Sequence, residues 1–164
     1  MNARSITVRR QEPEDAQALH EVYAQPRVIW GTSMLPFPSL HLAKKGADEP
    51  KGMTRLVVCV DERVVGNIFL SIKPQPRQRH AADIGMAVHD DWQGQGCGQA
   101  LMSAVLELAD SWMNLHRIEL QVYTDNERGM RLYERNGFEI EGRLKDYAFR
   151  EGSYVDVYTM ARLR

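Results

Sequence analysis

The stretch that most limits how this chain can fold is Trp92-Gln93-Gly94-Gln95-Gly96-Cys97-Gly98, with glycine at every second position three times running. Ahead of it, Ala81 to Val88 sets Ala82, Ile84, Met86 and Val88 at alternate positions, the two-residue period of a strand. Behind it, Cys97, Ala100, Leu101, Ala104, Val105, Leu108 and Trp112 recur at the spacing of one face of a long amphipathic helix. A strand, a glycine-rich turn and a helix start bring unpaired N–H groups and the positive end of a helix dipole to one place. The glycines remove Cβ atoms just where a ligand must touch backbone. Such a construction holds a pyrophosphate. A plain strand-to-helix turn needs one or two glycines, so the third favours a ligand.

The flanking sequence places this unit in a mixed α/β order. Ser5 to Arg10 reads as a half-buried strand, and Pro13 opens a helix carrying Ala16, Leu19, Val22 and Tyr23, which Pro26 closes. Residues 26 to 40 read as a loop, followed by a short helix from about Leu40 to Ala47. Leu56 to Val60 is apolar without alternation, as in a strand buried on both faces. Asp61-Glu62 turns the chain into a strand over Arg63 to Ile72, which Pro74 and Pro76 end. After the long helix come a strand over Ile118 to Tyr123 and a helix over Asn126 to Asn136 with Gly137 as a left-handed cap. Strands over Phe138 to Gly142 and Val155 to Leu163 follow, joined by an irregular stretch. The total is about seven strands and about four helices in a single domain spanning 1–164, a length that buries a core without staples. The 21 basic and 22 acidic residues leave a net charge of −1, without the cationic excess that binds nucleic acid. Two cysteines 38 positions apart and five scattered histidines offer no metal-ligand spacing, so no metal is expected. No apolar run reaches membrane-spanning length and no signal segment opens the chain, which leads us to expect no membrane contact and a cytoplasmic protein.

The loop does not match the dinucleotide pattern GxGxxG, because Gln99 stands at its last position, and no Lys-Ser or Lys-Thr completes a nucleotide-binding loop. It does match Gln-x-x-Gly-x-Gly through Gln93, Gly96 and Gly98. Downstream, Asn126-Glu127-Arg128-Gly129-Met130-Arg131-Leu132-Tyr133, followed by Gly137-Phe138, resembles a second motif of the same family. On these residues the chain resembles the GNAT superfamily of N-acetyltransferases, best from Ala82 to Leu163, and among its members bacterial enzymes acting on amino acids, small amines or ribosomal-protein N-termini. Two positions depart from the pattern. Gly129 stands where alanine is usual, at about 1 kcal/mol of helix propensity, and Cys97 replaces a bulkier apolar residue.

The resemblance implies a mixed sheet splayed between the fourth and fifth strands, with acetyl-CoA as co-substrate. Its cofactor-binding residues would be Gln93, Gly94, Gln95, Gly96, Cys97 and Gly98, with Asn126 and Tyr133 on the following helix. It also implies a bulge in strand 81–88, with the N–H groups of Met86, Ala87 and Val88 facing the thioester. Tyr133, seven residues beyond Asn126 and on the same helix face, is the candidate acid for the departing thiolate. Asp83, which interrupts its strand with a charge, is the candidate base, and Glu119 on the next strand is its reserve. Arg77 and Arg79 immediately precede that strand and could hold a substrate carboxylate, while Trp30, Leu35 and Phe37 could wall an apolar pocket. The expected reaction is acetylation of a primary amine, the α-amine of a free L-amino acid with an apolar side chain. A protein N-terminus as acceptor, or a non-catalytic coenzyme A module, is the alternative. The fold also admits a homodimer.

Overall fold

The computed structural model describes residues 4–45 and 49–164. Its elements are β1 (Ile6–Arg10), α1 (Ala16–Tyr23), α2 (Pro26–Gly31), α3 (Leu40–Lys45), β2 (Met53–Val60), β3 (Arg63–Ile72), β4 (Ala81–Val88), α4 (Cys97–Ser111), β5 (Arg117–Tyr123), α5 (Glu127–Arg135), β6 (Glu139–Arg150) and β7 (Ser153–Leu163). The strands form one seven-stranded sheet in the order β1-β2-β3-β4-β5-β7-β6. Among the described residues every strand pairing is antiparallel except β4 with β5. That parallel pair holds for only three registered residues, Ala81↔Arg117 to Asp83↔Glu119. Beyond Asp83 the two strands diverge, the splay expected between the fourth and fifth strands.

The sheet is covered on both faces, which is why β2 is apolar without alternation. Val58 and Val60 face the main core, where Cys97, Leu101, Met102, Val105 and Leu106 of α4 pack on Ile68, Leu70, Ala82, Ile84, Ile118 and Phe138. Val57 and Cys59 face the other way, with Leu19 of α1 and Val64. Val22, Val28 and Ala87 extend that second layer towards the end of β4. The buried stripe of α4 is rotated from the expected one. Met102, Leu106 and Ala109 are buried, Ala104 and Leu108 are half-buried, and Trp112 is 78% exposed. The abundant alanines and leucines of this helix make two adjacent faces look equally apolar in sequence.

Two further expectations are corrected, and a third runs past the described residues. Pro26 does not end a helix segment in a loop; it starts α2, because its locked φ suits the first helical position and the missing N–H is not needed there. The helix expected to reach Ala47 is described as far as Lys45, and its last two residues lie outside the described residues. The irregular stretch before Val155 is instead a long hairpin of β6 and β7, closed by Glu151 and Gly152, both at positive φ (50° and 84°) as a two-residue turn requires. Register shifts between Ile140 and Gly142 and between Leu144 and Ala148 break its alternation, so no strand period shows.

The end of β4 is held tightly to β3. A Cβ added to Gly66 would stand 2.6 Å from the Ala87 carbonyl oxygen and 3.1 Å from the Val88 Cα, both backbone atoms. Gly66→Ala is therefore expected to lower the urea midpoint of unfolding, with a loss of about 1–3 kcal/mol typical of overpacking. An unchanged midpoint would show that β3 and β4 can part there at no cost.

Candidate functional site

The divergence of β4 from β5 opens a cavity of about 1040 Å³. Its walls come from β4 (Met86 to Val88), the glycine loop, the cavity-facing side of α5 and the end of α2. β4 itself contains no bulge: its register with β3 runs unbroken from Ala82↔Ile72 to Val88↔Gly66. The opening is made by departure from β5 instead. Lys73 N–H donates to the Ala81 carbonyl and His89 N–H to the Val65 carbonyl, which fixes the phase of the ladder. Antiparallel alternation then turns Asp83, Gly85 and Ala87 towards β3 and sets the N–H groups of Met86 and Val88 towards the gap. Of the three amides expected there, Ala87's is thus spent within the ladder. The Val88 carbonyl, on the gap side, accepts from Gln93 Nε2 at 3.0 Å.

Gly94 and Gly96 hold φ of 75° and 91°, the left-handed region that side chains avoid. A Cβ on Gly94 would stand 3.3 Å from the Arg128 guanidinium, and one on Gly98 3.3 Å from Leu132. The third glycine thus serves the approach of α5 to α4. No side chain caps α4, and its first backbone bond runs from Ala100 N–H to the Gly96 carbonyl. The N–H groups of residues 97 to 99 are left without an intrahelical acceptor. Cys97 takes part only through this backbone: its side chain is buried in the core, where burial pushes the thiol up. Gln95 turns away, with Nε2 on the Asp91 carbonyl and Oε1 accepting from Arg4.

Arg128, Arg131 and Arg135 also line the cavity, and sequence reasoning missed them. Their spacing of three and four residues, opposite a glycine loop, was the available signal. Arg128 also donates to Gln93 Oε1 at 3.3 Å. These cations, the open helix start and the absent Cβ atoms suit a diphosphate.

Asn126 and Tyr133 both line the same cavity. Asn126 Oδ1 caps α5 by accepting from Gly129 N–H at 3.0 Å, which leaves Nδ2 as its free donor. A Cβ on Gly129 would lie 2.9 Å from that Nδ2. The departure from alanine at 129 therefore makes room for the cap. Tyr133 packs edge-on against Phe138, and burial pushes its phenol up to about 12.

The candidate base is engaged elsewhere. Asp83 pairs with Lys73 at 2.7 Å, and the same ammonium reaches Glu119 at 3.0 Å. Burial alone would raise the Glu119 carboxyl, but hydrogen bonds from Arg117 and Lys73 outweigh it and hold the group below the usual carboxylate range. Neither carboxylate lines the cavity with Tyr133. Arg77 and Arg79 are exposed in the β3–β4 connection. They lie before Ala81, about 17 Å along β4 from Met86 at ~3.3 Å per residue. The structure does not bring them to the cavity: adjacency to β4 in sequence does not say which end of the strand is meant. Trp30 lines the cavity, whereas Leu35 (80% exposed) and Phe37 (98% exposed) project from the loop beyond it. Among the described residues no group of three His, Cys, Asp or Glu is placed to hold a metal, and no helix is long and apolar enough to cross a membrane.

Residues 16–138 match the model of the acetyltransferase (GNAT) family. The chain is 40% identical over 159 residues to the L-amino acid N-acetyltransferase AaaT of Escherichia coli K12, covering 97% of this chain and 98% of that protein. It is 32% identical over 77 residues to the ribosomal protein uS5-alanine N-acetyltransferase of the same organism, covering 47% of this chain and 40% of that one. In structure it resembles the spermidine N-acetyltransferase of Vibrio cholerae solved with CoA and spermine, with a TM-score of 0.84 and 26% identity over 96% of this chain and 95% of that one.

Gly96→Asp would put a side chain on left-handed backbone and a negative charge at the helix start. We expect coenzyme A at 100 times its wild-type Kd to stabilise the wild type by about 2.7 kcal/mol in a thermal shift and the variant not at all. Equal stabilisation of a folded variant would place the phosphates elsewhere.

Proposed function

The chain belongs to the GNAT family of acetyltransferases, and from that premise we propose that it moves the acetyl group of acetyl-CoA to the α-amine of a free L-amino acid with an apolar side chain, in the cytoplasm. The observation that carries this reading is the cavity onto which two unpaired backbone amides, the Asn126 amide and the Tyr133 ring all open. The identity to an L-amino acid N-acetyltransferase along almost the full length of both chains supports the acceptor class.

The glycine loop, the open start of α4 and the arginines of α5 hold the diphosphate. Acetyl-CoA supplies an activated thioester. The N–H groups of Met86 and Val88 stabilise the carbonyl oxygen as the amine adds to its carbon. Asn126 Nδ2 and Tyr133 stand on the α5 side, where Tyr133 returns a proton to the departing sulfur. An ordinary phenol near ~10 exceeds a thiol near ~8.5 by about 1.5 units. The burial that raises Tyr133 also raises a thiolate formed beside it, so the two stay matched.

The amine must lose a proton before it attacks. An α-amine of pKa ~8 pays about 1.4 kcal/mol for this at pH 7, against about 4.6 for a lysine of ~10.4. A free amino acid lies between them. With Asp83 and Glu119 both bound to Lys73, the proton leaves through water, and an α-amine is the acceptor that least needs a dedicated base. Trp30 lines the acceptor side and favours apolar side chains.

Tyr133→Phe keeps the ring and removes the proton. Its kcat should fall by about 10²–10⁴-fold with little change in KM, measured by release of free thiol. Because Tyr133 keeps its proton up to about 12, wild-type kcat/KM should rise with amine deprotonation and show no descending limb below pH ~10. A near-normal kcat in the variant would make Tyr133 a packing residue.

An acceptor screen by thiol release tests the substrate class. L-Phenylalanine and L-methionine should exceed spermidine and an alanyl peptide in kcat/KM by about tenfold or more, the scale of one charged hydrogen bond. Faster turnover of the peptide would favour the protein N-terminus, the reading that the uS5-alanine relative supports over half the chain.

A further inference from the structure

The α-carboxylate of an amino acid needs a cation, and Arg77 and Arg79 lie at the wrong end of β4 to supply it. The arginines of α5 face the glycine loop. Arg150, at the end of β6, stands behind the lining residues Trp30 and Asp125, in contact with both and not itself part of the lining. Its guanidinium carbon lies 4.1 Å from the Trp30 ring centre and 4.9 Å from that of Tyr123. Nη1 donates to the Trp30 carbonyl at 3.3 Å. The side chain is 13% exposed, so two aromatic planes and a carbonyl fix its orientation. The Tyr123 hydroxyl in turn donates to the Thr32 carbonyl at 3.2 Å, tying β5 to the residue after α2.

The free edge of this guanidinium is occupied by Asp125. Nη1 donates to Oδ1 at 3.3 Å and Nη2 to Oδ2, the two-pronged geometry of arginine with a carboxylate. Asp125 lines the cavity and its side chain is 50% exposed. A half-exposed carboxylate can turn into solvent at little cost. A guanidinium left without a partner in so enclosed a position would be costly. A second carboxylate arriving from the cavity removes that cost.

We propose that Arg150 is the specificity residue that holds the acceptor's α-carboxylate, and that Asp125 occupies this position until the acceptor displaces it. The inference rests on the amino-acid reading above and names the group that makes it selective. An acceptor held by its carboxylate against Arg150 has its α-carbon beside the Trp30 ring, where an apolar side chain is buried. Asp125 adjoins the capping Asn126 in sequence, so the amine of that acceptor lies towards the Asn126 and Tyr133 side of the cavity.

The test compares L-phenylalanine with L-phenylalaninamide in the full-length wild type and in Arg150→Gln, Arg150→Lys and Asp125→Asn, by thiol release with acetyl-CoA. The wild type should prefer the acid by about tenfold or more in kcat/KM. Arg150→Gln should bring that acid-to-amide ratio close to one. Arg150→Lys should keep part of it, since it retains charge but not the fork. Asp125→Asn should lower KM for the acid, because the internal competitor is weakened. A folded Arg150→Gln that keeps the wild-type ratio, or loses both substrates alike, overturns the proposal. Should Arg150→Gln not fold, an unchanged or raised KM for the acid in Asp125→Asn overturns it. Wild-type turnover of acid and amide with equal kcat/KM overturns the role of Arg150 while leaving amino acids as acceptors. Turnover of the peptide or spermidine alone removes the amino-acid reading and this inference together.

Discussion

At Asp83 and Glu119 the parallel strands β4 and β5 make their last backbone pairing, and two carboxylates face each other across it with the Lys73 ammonium between them. Like charges set opposite one another on neighbouring strands repel. Here one lysine turns the repulsion into a clamp, extended on the far side by Arg117, which holds Glu119 and Glu141 together. Above the clamp the strands part. The gap exposes the amides of Met86 and Val88 on one side and brings the capping Asn126 and α5 to the other. The charges at the fork therefore shape the site.

Much of this was legible in the sequence. β3 and β4 were readable to the residue, because Asp61-Glu62 and the prolines at 74 and 76 bound β3 and the apolar residues of β4 alternate cleanly. The glycine loop was readable because three missing side chains have few purposes. What escaped depends on distance in space. Arg150 is 25 residues from Asp125 and 120 from Trp30, so no local pattern joins them. Arg77 and Arg79 adjoin a strand whose other end lines the cavity. Proline at 26 has one meaning at the end of a helix and the opposite meaning at its start, and only the extended backbone of Gln25 decides between them. The β6–β7 hairpin hid its period behind two bulges.

The departures from the family pattern also find reasons. Glycine at 129 costs helix propensity, yet it admits the Asn126 side chain that caps the same helix and leaves an amide nitrogen facing the cavity. Cysteine at 97 is small enough to be fully enclosed beside Leu101 while its backbone stays free at the helix start.

A sheet whose two parts share a seam of only three backbone pairs is also divided in its cooperativity. β1 to β4 form one antiparallel unit and β5 to β7 another. Besides the clamp, the core beneath α4 couples them, together with side-chain bonds such as Arg150 to the Trp30 carbonyl and Tyr123 to the Thr32 carbonyl. Such units open with their own free energies, and backbone amide hydrogens record the difference as two levels of exchange protection. A ligand lying in the gap and bonding to both lips would draw the two levels together, making the protein one cooperative body only while it is loaded.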